Sequence, residues 1–144
     1  MSGYVLDASV AAKWFLSEQG ETFVSEAVEI LDRYRGGKAD LAVPDLFWPE
    51  FGNILGKAQR RGRMERETAR KAVDSMTEVS LKTYPSRTLL RDACAIAFTF
   101  DRAVYDAIYV ALAVELDKPL VTADEKLANA LAARFPIRWL GAFS

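Results

Sequence analysis

The chain has 144 residues, 51% apolar and 27% charged, with 19 basic against 20 acidic side chains and no histidine. These values describe one globular domain with a core large enough to fold without disulfides, and they exclude disorder and a globally basic nucleic-acid binder. The missing imidazole excludes Ser-His-Asp and Cys-His nucleophiles, His-ligated metals and a histidine general base, and zinc finds no nitrogen and sulfur donor set here.

In chain order, a short apolar run, Tyr4-Val5-Leu6, meets Asp7-Ala8-Ser9 and then a helix-like segment from Val10 to Leu16. No basic segment and apolar stretch precede Asp7, so no secretory signal is expected. Helical spacing resumes at Phe23, Ala27, Ile30, Leu31 and Tyr34 and stops at Gly36-Gly37. A second run, Leu41-Ala42-Val43, ends at Pro44. The spacing of Phe47, Phe51, Ile54, Leu55 and Ala58 then predicts a helix from about Asp45 to Arg61, broken by Gly62.

A more polar helix is expected over Glu67 to Glu78, with Val79-Ser80-Leu81 as a third strand. Pro85-Ser86 opens an apolar helix from Thr88 to about Phe100, in which Cys94 reads as a buried, inert thiol. The next helix runs from Ala103 to Leu116. Its apolar run, Ala107 to Val114, falls far short of the ~18 residues of a membrane span, and the protein is expected to be cytosolic. Leu120-Val121-Thr122 is the fourth strand, a helix follows from Asp124 to Phe135, and Ile137 to Leu140 reads as a fifth, edge strand. Strands alternating with helices imply an α/β fold in three layers: a central parallel sheet of about five short strands flanked by helices.

In such a sheet the site lies at the carboxyl ends of the strands, which singles out acids. Asp7 follows the first strand and Asp124 comes two residues after the fourth. Asp106 opens the Ala103–Leu116 helix among apolar neighbours, and Glu50 lies beside Trp48 and Phe51 with Asn53 one turn further on. Each acid has a plain structural reading. Asp7 can cap a helix, Thr122-Ala-Asp-Glu125 reads as a capping box with Asp124 in the first turn, Asp106 can be a first-turn acid, and Glu50 can face solvent. Jointly they say more. Two unit charges about 4 Å apart cost about 4 kcal/mol at an effective dielectric near 20, and no lysine or arginine is read as sitting one helical turn from any of the four. If the acids converge, a divalent cation with all-oxygen ligands, Mg²⁺ or Mn²⁺, resolves the conflict and suits phosphoryl chemistry.

The segments Val5-Leu-Asp-Ala-Ser9, Pro49-Glu-Phe-Gly-Asn-Ile-Leu55, Tyr105-Asp-Ala-Ile-Tyr-Val-Ala-Leu-Ala113 and Leu120-Val-Thr-Ala-Asp-Glu-Lys-Leu127 together resemble the PIN-domain nucleases. More narrowly they resemble VapC, the toxin half of a prokaryotic toxin–antitoxin pair. The resemblance spans nearly the whole chain, read as a single domain over 1–144. It implies a PIN-like fold and an endoribonuclease requiring one or two Mg²⁺ or Mn²⁺ ions, with RNA as substrate. It also implies a homodimer held inactive by a VapB-like antitoxin. Carried over residue by residue, the catalytic and metal-holding set is Asp7, Glu50, Asp106 and Asp124, with Ser9, Asn53 and Thr122 in support. Asp7 and Asp106 are expected to hold the principal ion, and hydrolysis by a metal-activated water is expected to leave 5′-phosphate and 3′-hydroxyl ends.

Two surfaces invite expectations of their own. Between Lys57 and Lys71 stand seven basic residues, among them Lys57, Arg60, Arg61 and Arg63, against two acids, a local excess of +5. They read either as an RNA-backbone contact or as a solvated hairpin tip. The aromatic residues Trp14, Phe15, Phe47 and Trp48 fit core packing, or a groove for an apolar antitoxin segment. Competing readings are a non-catalytic PIN-like module that binds RNA or protein, a haloacid-dehalogenase-type phosphohydrolase, and a flap or DNA nuclease. The phosphohydrolase would want an acid where Ser9 stands, and the flap and DNA enzymes are longer.

Overall fold

A computed structural model describes residues 2–16 and 20–143. Five strands form one parallel sheet: β1 (Ser2–Leu6), β2 (Ala39–Pro44), β3 (Lys82–Tyr84), β4 (Leu120–Thr122) and β5 (Ile137–Trp139), in the order β3-β2-β1-β4-β5. The helices are α1 (Ala8–Ala12), α2 (Val24–Arg35), α3 (Phe47–Arg60), α4 (Arg66–Thr77), α5 (Ser86–Phe100), α6 (Val104–Leu116) and α7 (Glu125–Leu131), and a 3₁₀ turn covers Leu140–Ala142. The expected three-layer α/β architecture with a parallel five-stranded sheet is the one observed.

The sheet's centre is its most apolar part. Tyr4, Val5 and Leu6 of β1 and all three residues of β4 are buried, as two-sided strands require. Helix α6 packs on β1 and β2, α5 covers α6, α1 packs on α3 and β4, and α7 lies against β4 and β5. Every residue of α6 from Ala107 to Ala113 is buried. The chain runs from β1 outward to β2 and β3, then returns across β1 to β4 and β5. The reversal falls between β1 and β4, and at such a point the two following loops part and leave a crevice at the strands' carboxyl ends.

Several boundaries differ from expectation. The segment predicted as a helix from Val10 to Leu16 is helical only over Ala8–Ala12, because Asp7 caps it so that it starts two residues early and turns follow from Lys13. The third strand is Lys82–Tyr84, not Val79–Leu81. It pairs only with β2 at the sheet's edge, where exposed Lys82 and Thr83 carry no apolar signal. The last helix stops at Leu131 rather than Phe135. Cys94 is half-buried, not buried. The early aromatic residues serve packing. Phe47 is fully buried and stacks on Phe51, Phe15 meets Phe51 edge-on, and the indoles of Trp14 and Trp48 donate to Ala27 O at 2.8 Å and Thr83 Oγ1 at 3.2 Å.

Candidate active site

Strand β1 delivers Asp7 to the crevice as its last pairing residue, with the Asp7 N–H donating to Val121 O at 3.1 Å. Asp7 is the N-cap of α1, and its Oδ1 accepts from the Ser9 N–H at 3.2 Å. Its Oδ2 accepts from Thr122 Oγ1 at 2.7 Å. Thr122, wholly buried at the end of β4, also accepts from the Asp124 N–H at 3.0 Å, while Ser9 Oγ accepts from the Ala123 N–H at 3.2 Å. Asp7, Ser9 and Thr122 thus lace the β1–α1 and β4–α7 loops together, and each hydroxyl satisfies a backbone group that the reversal leaves unpaired.

Asp124 is the N-cap of α7 itself, its Oδ1 accepting from the Leu127 N–H at 3.1 Å. This corrects the capping box expected over Thr122–Glu125: Thr122 is not the N-cap of α7, and its hydroxyl accepts from the Asp124 N–H while donating to Asp7. Asp106 lies in the first turn of α6 and Glu50 in the first turn of α3. Glu50 does not face open solvent. It is half-buried, and Tyr109 Oη donates to its Oε1 at 2.6 Å.

Electrostatics ties the four together. Burial pushes the Asp7 carboxyl above its ordinary range, against the bonds from Thr122 and Ser9, and the charges of Asp106 and Asp124 push the same way. Glu50 is raised by burial and by Asp7 and Asp106, with the Tyr109 bond opposing. Asp106 is raised by burial and by Asp124, with Arg102 opposing. Tyr109 is held strongly protonated by burial and by the charges of Asp7 and Glu50. The phenol therefore donates and does not act as a base.

One expectation fails here. Arg102 stands one turn before Asp106, its guanidinium 3.8 Å from Asp106 Oδ2. It precedes the first residue of α6, so reading the helix alone passed over it. Its Nε is buried without a hydrogen-bond partner. Tyr109 was also missed as a site residue. Its signal was the three-residue spacing from Asp106, which puts a hydroxyl on the acid's side of an otherwise apolar helix. Asn53 is exposed and lines an open cleft with Glu50, Leu46, Pro49 and Tyr105.

The basic group divides. Lys57, Arg60 and Arg61 are exposed toward the far end of α3. Arg63 is exposed too but is held in an ion pair, its guanidinium 2.7 Å from Glu21 Oε2, and Glu21 Oε1 lies 2.6 Å from the buried Lys13 ammonium.

Among the described residues no three Asp, Glu or Cys side chains stand ready to hold a metal ion. The donor chemistry nonetheless fits a hard cation. All four groups are carboxylates, and three are raised by burial and by like charge, the strain that a divalent ion relieves.

The family described as "PIN domain" matches residues 4–131. A ribonuclease VapC3 from Pyrobaculum aerophilum is 35% identical over 135 residues, covering 90% of this chain and 95% of the relative. Two solved structures share the fold. PAE2754 from Pyrobaculum aerophilum superposes with a TM-score of 0.67 at 22% identity, over 97% of this chain and 85% of that one. VapBC2 from Rickettsia felis, bound to a DNA fragment from its promoter, does so with a TM-score of 0.60 at 12% identity, over 95% and 98%.

Proposed function

The chain belongs to the PIN-domain family, among the VapC ribonucleases, and on that footing we propose that it is a Mg²⁺- or Mn²⁺-dependent endoribonuclease acting through Asp7, Glu50, Asp106 and Asp124. The observation that carries the proposal is the mutual electrostatic pressure of these acids at the sheet's reversal point. Isolated helix caps would not raise one another. Arg102 opposes at Asp106, and the groups that lower Asp7 and Glu50 are hydrogen-bond donors, not cations.

Asp7 and Asp106 would hold the principal ion, with Asp124 and Glu50 completing the set. When bound, the ion would neutralise charge on the scissile phosphate and acidify a water molecule for in-line attack. The protein's own residues prepare that centre. The Ser9 N–H and the Thr122 hydroxyl fix both oxygens of Asp7, so its carboxylate meets a ligand already oriented. Tyr109 orients Glu50 and, being held protonated, favours the charged form of that carboxylate. With no imidazole to take a 2′-hydroxyl proton, ends bearing a 5′-phosphate and a 3′-hydroxyl are the expected products.

The resemblance to VapC brings a VapB-like antitoxin as partner, and a homodimer. For the second copy the chain offers Leu90 and Phe98, eight residues apart on one side of α5 and both exposed, Phe98 at 78%. No helix among the described residues is long and apolar enough to cross a membrane.

The test is cleavage of RNA with Mg²⁺ or Mn²⁺, wild type beside Asp7→Asn. The isostere keeps the cap and removes one charge, and a loss of at least about 100-fold is expected, the scale of damage to a metal site. Equal cleavage by both proteins defeats the assignment. No cleavage by wild type in either metal favours the non-catalytic RNA- or protein-binding module.

A further inference from the structure

The cleft beside the acids is larger than a phosphate needs. Leu46, Pro49, Glu50, Asn53 and Tyr105 line an open cleft of about 520 Å³, within the range of sites that take a small organic group. Tyr105 is 64% exposed, although it directly precedes Asp106 and the seven-residue stretch Ala107–Ala113 behind it is entirely buried. A large ring left outside the core at the mouth of a charged site adds little to folding. Its face is open to a partner, and it lines the same cleft as Glu50 and Asn53.

Charge selects the occupant. Glu50 presents a carboxylate to the cleft and Asp106 adjoins Tyr105, so a backbone phosphate would be repelled there unless neutralised. A flat, neutral group with hydrogen-bonding edges would not be. In RNA that group is the base. We infer that this cleft is the subsite for the nucleobase next to the scissile phosphate, with the Tyr105 ring as its stacking platform and the Asn53 amide reading its edge.

The assignment rests on the ribonuclease reading of the acid site. An amide supplies donors and an acceptor together, as a base edge requires. Along α3, Asn53 and Lys57 follow Glu50 at three and seven residues, on one side of the helix. A strand leaving the acids past Asn53 therefore reaches a cation, where its backbone is welcome. Tyr105 and Asn53 thus decide which base is accepted at the cut, while the acids perform the cut.

The experiment cleaves a random-sequence single-stranded RNA pool with Mn²⁺ and sequences the ends. Wild type and Tyr105→Phe should share a base preference beside the cut, and Asn53→Ala should lose it. Tyr105→Ala should lower kcat/KM by about 5- to 150-fold, the range for one stacked base, and act through KM. An oligonucleotide abasic at that position should penalise wild type more than Tyr105→Ala, which has already lost the stacking contact. Equal abasic penalties in the two proteins would overturn the subsite. So would a Tyr105→Ala protein whose base preference is intact and whose only change is its mass by light scattering, since the ring would then belong to a protein interface.

A second arm titrates labelled intact and abasic oligonucleotides into Asp7→Asn, with and without Tyr105→Ala, by fluorescence anisotropy. Binding that depends on Tyr105 and the base, beside a wild type that cleaves nothing, upholds the subsite and removes the ribonuclease reading. Cleavage and binding indifferent to Tyr105 do the reverse.

Discussion

Tyr109 shows how much of the site's chemistry rests on one hydroxyl. Its bond to Glu50 favours the carboxylate against burial and like charge. Tyr109→Phe should let the Glu50 carboxyl rise further, moving the acidic limb of the pH–rate profile to higher pH and lowering activity at neutral pH about 10- to 100-fold. An unmoved limb would take Glu50 out of the reaction. Stability supplies a complementary reading. A carboxyl raised on folding binds its proton more tightly in the native state, so its stabilising effect is present below the unfolded pKa and is lost as pH rises through the folded one. Glu50→Gln keeps an acceptor for Tyr109 and deletes the charge. In the metal-free protein it should raise Tm by roughly 2–4 °C at neutral pH for each kcal/mol relieved, with the gain vanishing toward acid pH. Thermal melts at the two pH values decide. The sequence marked Glu50 as an acid with no obvious reason to be buried. It could not show the phenol 59 positions away that answers it.

At the scale of elements, α3 carries two candidate surfaces, an acid at its start and exposed cations at its end. Glu50 is in its first turn and Arg60 ends it, about 15 Å away at 1.5 Å per residue. The basic run read from the sequence as one surface divides because Glu21, ahead of α2, pairs with Arg63. Burial acts to raise the Glu21 carboxyl, and the hydrogen bonds and charges of Arg63 and Lys13 outweigh it, so it sits below its ordinary range. Lys57, Arg60 and Arg61 changed together to Ala should therefore flatten the salt dependence of RNA binding, by about 0.7 in log–log slope for each phosphate no longer neutralised. Arg63→Ala should leave that slope alone and cost stability, on the order of 1 kcal/mol, as its partner is itself mostly buried. A slope that moves equally for Arg63 would return it to the RNA surface. Element boundaries failed for similar reasons. Strand β3 carries no apolar pattern because an edge strand can leave its side chains in water, and Arg102 went unread because the helix it assists begins after it.

For the whole molecule, the order β3-β2-β1-β4-β5 puts the loops that carry Asp7 and Asp124 side by side. The chain reverses between β1 and β4, and the α3 and α6 N-termini bring Glu50 and Asp106 to the same edge. Their mutual repulsion is a standing cost to the metal-free fold. Mg²⁺ or Mn²⁺ should thus stabilise the wild type, by about 2.7 kcal/mol when present at 100 times its dissociation constant. Asp7→Asn should show little of that gain. A wild-type Tm indifferent to both ions would remove metal from the account whatever the cleavage assays show, because this readout does not pass through activity.

By itself the sequence determined the alternation of strands and helices and the parallel sheet, and it marked four acids as candidates, because hydropathic period and residue type are local properties written along the chain. Their resemblance to known motifs named the family. Only the tertiary structure decided which partners each acid has: Thr122 and Ser9 for Asp7, Tyr109 for Glu50, Arg102 for Asp106, and the Leu127 N–H for Asp124. It also decided that Arg63 pairs with Glu21 and that Tyr105 stays outside. Hydrogen bonds and charge pairs act over a few ångströms of space, and separation along the chain is no guide to that distance until the sheet has reversed and brought its loops together.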